Sequence, residues 1–326
     1  MTNQIRKICF PEKSYLEACS DNSVVYRVDF ADGIGRMTAY PVMPGITLLF
    51  NDFYTSSGFA NESHRAGMVE INYCRVGRYE CLLRDGRIVS LGPQDFSMND
   101  MGHPPRESSF TLGEYHGISL AVAIDEAQKS LVAMLGDNAP CLKELFEQIL
   151  LEQSVLILRA NPRVQRLFSD LYEAPEFCQT AYFKLKTAEL FLFLSGLNDQ
   201  APEGRVRYVS RDLSRRIRDI EQFMTRDLRV RIPITELASR FKISETTIKK
   251  RFVQLYGSPP YVYLRRRRME TASFLLRTSA LSITEIASQV GYQNASKFSR
   301  AFSEIYGISP SDCKKGVRLE QYDLSE

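Results

Sequence analysis

Two groups of hydroxyl and cationic residues in the last third of the chain are suited to binding a polyanion. Ammonium, guanidinium and hydroxyl groups donate hydrogen bonds, and the cations attract negative charge. The two groups, offset by fifty residues, are Thr246, Thr247, Lys249 and Lys250, and then Ser296, Lys297, Ser299 and Arg300. The constant offset indicates that two similar elements present them.

The charge distribution supports the same chemistry. The 326 residues have a net charge of only +3, but residues 204–316 carry +13, residues 1–203 carry −8, and residues 317–326 carry −2. A basic third joined to an acidic two-thirds indicates a polyanionic partner for one module only. Charge alone does not distinguish a nucleic acid from an anionic lipid surface.

An internal repeat supplies the elements that would position these groups. Residues 234–239 (ITELAS) recur as residues 283–288 (ITEIAS). Further on, the pattern Phe-x-x-Leu-Tyr-Gly of residues 252–257 recurs as Phe-x-x-Ile-Tyr-Gly in residues 302–307. Each copy predicts a short helix, a turn, and a second helix that ends at glycine.

The residue types within each copy fit a helix-turn-helix. Ala238 and Ala287 are small where the two helices must cross closely. Ser244 and Asn294 stand where a side chain caps the second helix. The spacing of four and three residues predicts an apolar inner face for each second helix. These two faces comprise Ile248, Phe252 and Leu255, and Phe298, Phe302 and Ile305.

The turn between the helices differs in the two copies. Gly291 suits the tight turn of the second copy, where a left-handed backbone is expected. Lys242 occupies the matching place in the first copy and is a less natural choice there. Gly257 and Gly307 are expected to end their helices as caps.

Residues 37–122 read as short strands separated by turns. Strands are predicted at residues 45–50, 68–73, 78–83 and 117–122, which favours a barrel or a sandwich. The pair Asp85-Gly86 predicts a tight hairpin in which both central residues have positive φ. Residues 92–95 (GPQD) predict another turn.

Amphipathic helices are predicted between residues 126 and 196, where apolar residues recur every three or four positions. One stripe comprises Leu142, Leu145, Phe146, Ile149 and Leu150, and the other Tyr182, Leu185, Leu190, Phe191 and Leu194. Residues 190–194 are apolar on all sides, so this helix is either buried in a core or also meets a second subunit. The polar residues 198–204 suit a linker.

The sequence gives few signals for metal binding, nucleotide binding, redox chemistry or a membrane segment. Only His64, His103 and His116 are available as histidine ligands, without a His-x-His pair, and no phosphate-binding G-x-x-x-x-G-K occurs. None of the seven cysteines forms a Cys-x-x-Cys pair, although Cys74 and Cys81 flank a predicted strand connection and could face each other in a redox role. No apolar run reaches a membrane-spanning length, and no secretory signal is recognised.

Residues 210–316 resemble the DNA-binding domain of the AraC/XylS family. The match is closest over residues 291–302 (GYQNASKFSRAF) followed by residues 306–310 (YGISP). Cys313 stands where an aromatic residue is frequent, which is a mild departure. In the family a long helix joins the two units, and residues 260–277 match it, with Ala272, Leu275 and Leu276 as its packing face.

The resemblance implies recognition helices at about residues 245–256 and 295–306, each entering a major groove on one face of the DNA. It places Thr246, Lys249, Lys250, Ser296, Lys297 and Arg300 at positions that read bases. It leaves Arg251, Arg265, Arg266, Arg267, Arg268 and Ser299 for phosphates. Four consecutive arginines cannot all face DNA, so that run is alternatively a solvated helix face, and Lys249 and Lys297 are alternatively phosphate contacts.

The N-terminal part of this family commonly resembles a cupin-like β-barrel that binds a small effector. Residues 70–81 and 91–95 are also locally similar to the sensor of pyochelin-type siderophore regulators. Tyr73, Arg75, Arg78 and Tyr79 are candidates to line a pocket for an aromatic or anionic ligand. The alternative is that they are exposed strand residues beside packed aromatic rings.

The sequence therefore predicts an α+β protein with three parts. These are a cupin-like β-barrel sensor (1–125), a helical linker or dimerisation region (126–200), and an all-α domain of two helix-turn-helix units (205–316). The resemblance implies a cytoplasmic, effector-responsive activator that binds promoter DNA and RNA polymerase, can form a homodimer, needs no cofactor, and contacts no membrane. The alternatives are a metal cupin enzyme with a DNA-binding domain and a constitutive DNA-binding protein.

Overall fold

Nine strands form one antiparallel sheet in the computed structural model, which describes residues 14–59, 64–150, 155–159, 161–198 and 211–316. The strands are β1 (Ser14–Cys19), β2 (Val24–Asp29), β3 (Ile34–Met43), β4 (Ile46–Tyr54), β5 (Met68–Leu82), β6 (Ile88–Leu91), β7 (Phe96–Asp100), β8 (Glu107–Ala123) and β9 (Val155–Leu158). Their order is β1-β2-β3-β4-β8-β5-β7-β9, and β6 pairs with β5. The sheet belongs to the first of two compact units, residues 1–207 and 208–326.

The two strands predicted at residues 68–73 and 78–83 are one strand. β5 runs from Met68 to Leu82 and stays paired with β8, although the register shifts between Cys74 and Val76 and again between Gly77 and Tyr79. These irregularities absorb the apparent break without ending the strand. Cys74 and Cys81 therefore lie in the same strand, about 20 Å apart along it. The predicted strand connection between them is wrong, and both cysteines are buried.

The hairpin at Asp85-Gly86 is present, but its turn is not the predicted one. β5 pairs with β6 from Tyr79↔Leu91 to Leu82↔Ile88. Gly86 has a positive φ of 83°, whereas Asp85 does not have a positive φ. The amide of Gly86 donates to the carbonyl of Leu83, and the amide of Leu83 donates to the carbonyl of Arg87. This is a three-residue loop that needs only one left-handed residue.

Four helices pack on one face of the sheet and share its hydrophobic core. They are α1 (Ile124–Leu135), α2 (Leu142–Leu150), α3 (Pro162–Tyr172) and α4 (Gln179–Ser195). The core contains Ile71 and Leu120 from the sheet together with Phe146, Phe168 and Phe191 from the helices. Sheet and helices thus form a single unit, and a separate role for the helical part stays a prediction.

The two predicted helical stripes differ in accuracy. In α2, Leu142, Leu145, Phe146 and Ile149 are buried as expected. In α4, Leu190, Phe191 and Leu194 are buried, but Leu185 is 59% exposed, so its place in the buried stripe is wrong. Phe183 and Ala188 occupy the buried face instead, because the helix turns 100° per residue.

The second unit contains seven α-helices within its described residues, 211–316. They are α5 (Arg211–Thr225), α6 (Ile234–Phe241), α7 (Glu245–Tyr256), α8 (Pro260–Thr278), α9 (Ile283–Gln289), α10 (Ala295–Tyr306) and α11 (Pro310–Lys314). The first half of the unit packs around Phe252, and the second half packs around Phe302. α8 contributes Leu264 to the first core and Ala272 and Leu276 to the second, so it joins the two halves. The structure thus confirms an α+β protein with a helical C-terminal domain.

Candidate nucleic-acid interface

The second helix of each helix-turn-helix begins and ends where its cap residues dictate. Ser244 Oγ accepts a hydrogen bond from the amide of Thr247 at 3.2 Å, and α7 starts at the next residue, Glu245. Asn294 Oδ1 accepts from the amides of Ser296 and Lys297 at 2.8 and 3.0 Å, and α10 starts at Ala295. Such caps satisfy amides that have no partner inside the helix.

Both of these helices end at a left-handed glycine. Gly257 has a φ of 77° and Gly307 a φ of 69°, and the amide of each bonds back to a carbonyl of its helix. The helices accordingly span Glu245–Tyr256 and Ala295–Tyr306. Local capping chemistry therefore sets the position of the surface that the helices present.

The inner and outer faces of these helices separate cleanly. Ile248, Phe252, Phe298 and Phe302 are fully buried, and Leu255 and Ile305 are nearly so. All six predicted base-reading residues are exposed: Thr246, Lys249, Lys250, Ser296, Lys297 and Arg300. The helices thus hold hydroxyl, ammonium and guanidinium donors outward on a rigid apolar base.

The turns that precede these helices reach a similar backbone by different means. Gly291 has a φ of 84° and Lys242 a φ of 51°. A Cβ on Gly291 would lie 2.5 Å from the carbonyl oxygen of Leu228, so this glycine is also needed for close approach. Around Lys242 there is room for a side chain, and Arg216 donates to the carbonyls of Phe241 and Lys242.

Two acidic residues contact the outward cations. Arg300 Nε donates to Glu304 Oε1 at 2.9 Å, and Arg265 of α8 donates to Glu304 Oε2. These hydrogen bonds, Arg300 first, lower the pKa of the Glu304 carboxyl. In the first unit, Lys249 lies 3.8 Å from Glu245. The Arg300–Glu304 and Lys249–Glu245 pairs each link neighbouring turns of one helix.

The residues predicted to contact phosphate divide into two sets. Arg265 is exposed, whereas Arg251, Arg266 and Ser299 are partly exposed. Arg251 Nη1 donates to Gln254 Oε1 at 2.7 Å. These four remain within reach of a ligand on the surface of the unit.

The other set is turned inward. The Arg267 side chain is only 11% exposed and lies 3.9 Å from Glu270. Arg268 packs over the ring of Tyr292, and burial lowers the pKa of its guanidinium. Four consecutive helical residues point in four directions, so the run cannot offer one face. The positions of Arg267 and Arg268 favour a structural role.

Sequence reasoning missed a second basic segment beside the interface. Arg226, Arg229 and Arg231 are exposed in the stretch that precedes α6. This stretch approaches the turn of the second helix-turn-helix, because a Cβ on Gly291 would meet the backbone of Leu228 and Arg229. The alternating arginines of residues 226–231 (RDLRVR) were the available signal.

The four candidate effector residues do not share one environment. Tyr73 is buried and stacks on Phe168 at 4.6 Å, and burial raises the pKa of its phenol. Arg75 lies over the ring of Tyr172 at 4.2 Å. The structure therefore places these two residues against α3.

Arg78 and Tyr79 have different surroundings again. Arg78 is 3% exposed and donates to Ser90 Oγ, which in turn donates to Glu80. The ring of Tyr79 contacts Phe110 at 5.6 Å. The four residues are thus not brought together to line a single pocket.

A row of polar side chains on the other face of the sheet was not foreseen. Asn51 Nδ2 donates to Ser119 Oγ (2.8 Å), Ser119 Oγ to Asn72 Oδ1 (2.6 Å), Asn72 Nδ2 to Asn99 Oδ1 (3.2 Å), and Asn99 Nδ2 to Glu70 Oε2 (3.2 Å). We call these five residues the polar row. Asn51 is 5% exposed, and its Oδ1 accepts no hydrogen bond from any described residue. Only the polar residues at Asn51, Asn72 and Ser119, inside otherwise apolar strands, hinted at it.

Two searches of the described residues bear on other functions. They contain no group of three or more His, Cys, Asp or Glu residues placed to hold a metal ion. Within the same ranges, none of the helices combines the length and the apolar character that crossing a membrane requires.

Comparisons with known proteins agree with the geometry of the second unit. A family model described as a helix-turn-helix domain matches residues 237–316. The uncharacterised HTH-type transcriptional regulator YdiP of Escherichia coli K12 is 33% identical over 122 residues, which cover 36% of this chain and 40% of that protein. A putative AraC-like transcription regulator of Streptomyces antibioticus is 36% identical over 93 residues, covering 28% of this chain and 31% of that protein.

A solved structure adds a similar match. The DNA-binding domain of AdpA, crystallised with a target DNA, is 27% identical and covers 31% of this chain and 92% of that chain, with a TM-score of 0.29. The two curated relatives above are matched over less than half of their own length. The second unit is a double helix-turn-helix domain. More particularly, it is similar to the corresponding part of AraC-like transcription regulators.

Proposed function

We propose that the chain is a transcription regulator that binds promoter DNA, with α7 and α10 as its two recognition helices. The observation that carries the proposal is the repeated, outward row of donors on a buried apolar base. Thr246 and Lys250 stand on one helix, and Ser296 and Arg300 occupy the matching positions of the other. A helix of this kind fits a major groove, where base edges accept hydrogen bonds from such side chains.

The surrounding cations supply the part of the affinity that does not depend on sequence. Arg265 and Arg266 lie on the joining helix α8, and Arg226, Arg229 and Arg231 lie beside the second turn. Such residues neutralise phosphates and position the domain on the duplex, and binding weakens as salt rises. An anionic lipid surface would attract the same cations. Binding to such a surface, however, does not require that the donor positions repeat after fifty residues.

A small-molecule effector is the second part of the proposal. The polar row supports it better than Tyr73, Arg75, Arg78 and Tyr79, because it ends in a buried acceptor that no described residue satisfies. Each bond of the row donates toward Glu70, so the row polarises Asn51 Oδ1 as an acceptor. An effector with an N–H or O–H group would complete it.

Replacing Asn51 by leucine tests this second part. The change removes the acceptor that lacks a donor, but it also removes the hydrogen bond from Asn51 Nδ2 to Ser119 Oγ, so the effector-free protein should lose about 1–3 kcal/mol of stability and still fold. The same change should abolish any response of DNA binding to small molecules in a cell extract. A response that persists in Asn51→Leu would place the effector elsewhere.

The remaining elements of the proposal follow from a promoter as the ligand. A promoter-bound regulator acts in the cytoplasm and changes transcription through RNA polymerase, as an activator when the effector favours the DNA-bound state. A homodimer would let two copies bind paired sites. Footprinting with and without effector distinguishes a sensor from a constitutive DNA-binding protein.

The test of DNA recognition compares two arginines. Sequences that bind the full chain at physiological salt are selected from random duplexes, and Arg300→Ala and Arg266→Ala are then measured on them. Arg300→Ala should relax the preference at one base pair by about 1–3 kcal/mol. Arg266→Ala should weaken all sequences equally and reduce the salt dependence. If the wild-type chain selects no sequence, the proposed function is wrong.

A further inference from the structure

Glu304 joins two elements of the proposed interface through one carboxylate. Its Oε1 accepts from Arg300 Nε at 2.9 Å, and its Oε2 accepts from Nη2 of Arg265. Arg300 lies on the recognition helix α10, four residues before Glu304, whereas Arg265 lies on the joining helix α8. The carboxylate is therefore held from two sides and cannot follow Arg300 freely.

The nitrogen of Arg300 that donates to Glu304 determines which of its other nitrogens remain available to contact DNA. A guanidinium offers five N–H groups in a rigid plane, and Glu304 takes the one on Nε. The two terminal nitrogens, Nη1 and Nη2, then remain as the edge for a bidentate contact to guanine O6 and N7. The Arg300 side chain is 85% exposed, so little besides Glu304 orients it.

We propose that Glu304 is a positioning residue that fixes the end-on presentation of Arg300 to a guanine and so determines specificity. This inference rests on the proposed function. The carboxylate also repels the DNA backbone, which penalises a pose in which Arg300 turns away to a phosphate. Glu304 thus raises discrimination between sequences while it lowers affinity for DNA in general.

The first helix-turn-helix has no counterpart of the Arg300–Glu304 pair. Gln254 holds the position that matches Glu304, and it accepts from Arg251 rather than from the reader position. Lys250 holds the position that matches Arg300, and it forms no ion pair with any described residue. An ammonium is a point charge without a fixed edge, so orientation matters less there. The inference therefore predicts that the second unit discriminates more sharply than the first.

The test separates charge from geometry with two substitutions. Glu304→Gln removes the charge, and Glu304→Asp keeps the charge but shortens its reach. For the full chain on its selected operator, Glu304→Gln should lower discrimination at the Arg300 base pair about tenfold. It should also raise affinity for random duplex about two- to threefold, because one repulsive charge is gone. Glu304→Asp should lower discrimination with little change in affinity for random duplex.

A charge-matched control is Glu236→Gln, on an exposed position of α6. It makes the same change in net charge and should leave discrimination at the Arg300 base pair as in the wild type. Exposed ion pairs contribute little to stability, so all these variants should fold. Far-ultraviolet circular dichroism and the thermal midpoint check this directly.

Two results would overturn the inference while leaving DNA recognition intact. Discrimination in Glu304→Gln equal to that of the wild type would mean that Arg300 needs no positioning. A parallel fall in specific and random binding would mean that Glu304 acts only on stability. In both cases the wild-type chain still selects an operator, whereas failure of the proposed function removes that selection itself.

Discussion

The two compact units of this chain place their charged side chains in opposite ways. In the second unit, Lys250 and Arg300 stand exposed on helices whose inner faces are apolar, although Glu221 of α5 is buried and accepts a hydrogen bond from the hydroxyl of Tyr263. In the first unit, charged groups such as Arg78, Glu80 and Asp95 are buried and hydrogen-bonded to neighbours. The charges on the recognition helices are therefore available to a partner, whereas buried charges such as those of the first unit hold the fold together.

Exposed and buried ion pairs contribute differently to the free energy of unfolding. Exposed ion pairs are screened and contribute about 0–1 kcal/mol, whereas losing one member of a buried pair leaves a charge without compensation and costs about 3–5 kcal/mol. Mutations of the buried charged residues of the first unit should therefore affect stability, and mutations of the exposed charged residues on the recognition helices should affect binding. Three measurements test the differences between these regions of the molecule.

The largest effect is expected at Arg159. Its side chain is 11% exposed, and its guanidinium pairs with Asp95, whose side chain is 9% exposed. Arg159→Met should lower the free energy of unfolding by about 3–5 kcal/mol, because Asp95 would stay buried and unpaired. The matched control Lys250→Ala, at an exposed position, should change it by about 0.5 kcal/mol or less. Similar losses in the two variants, measured by urea unfolding, would break the comparison.

The next effect is a pH dependence centred on His116. Burial of the ring disfavours its charged form, but hydrogen bonds and charges from Asp52 and Glu114 outweigh this and raise the pKa of His116 to about 9. The distances to the two carboxylates are 2.6 and 2.8 Å. A pKa raised above the unfolded value of 6.5 adds stability that is complete below pH 6.5 and is lost as pH rises through 9.

The size of this effect follows from the shift in pKa. It corresponds to about 3 kcal/mol, since one pKa unit equals about 1.4 kcal/mol. The difference in unfolding free energy between the wild type and His116→Gln should therefore shrink between pH 6 and pH 10. Residues 208–326 contain no histidine, so this dependence belongs to the first unit. A difference that is constant across this range would show that His116 does not titrate in this way.

A smaller effect compares the two turns within the second unit. Gly291→Ala should cost at least about 2 kcal/mol, since its φ is 84° and the new Cβ would meet the Leu228 carbonyl oxygen. Lys242→Gly should instead stabilise the protein by up to about 1 kcal/mol, because it relieves a left-handed backbone at a roomy position. Equal signs for the two changes would show that the turns are not distinguished by close approach.

The second unit was the more predictable of the two because its signals are local. The caps Ser244 and Asn294 and the glycines Gly257 and Gly307 lie within one turn of the helix ends that they define. The predicted recognition helices at residues 245–256 and 295–306 therefore coincide with α7 and α10. The Arg300–Glu304 pair also had a local signal in its spacing of four residues, but its link to Arg265 is a tertiary contact.

The first unit was less predictable because its partners are distant in sequence. Tyr73 resembles an exposed strand residue until Phe168 packs on it, and Asn51 finds Ser119 sixty-eight residues later. The residues between the predicted strands 68–73 and 78–83 looked like a connection, yet β5 continues through them with an irregular register. The strands β1 and β2 lie before residue 37, ahead of the predicted β region. Pairing and burial across a sheet decide such features, and neither can be read from one segment alone.

Interference footprinting on the selected operator reports which major-groove base edges the full chain contacts. It is therefore the direct test of DNA recognition by the two helices α7 and α10. Purines whose modification blocks binding should form two clusters on one face of the duplex, about one helical turn apart. Arg300→Ala should remove contacts from one cluster and Lys250→Ala from the other. A single cluster, or loss of the same contacts in both variants, would contradict recognition by two helices.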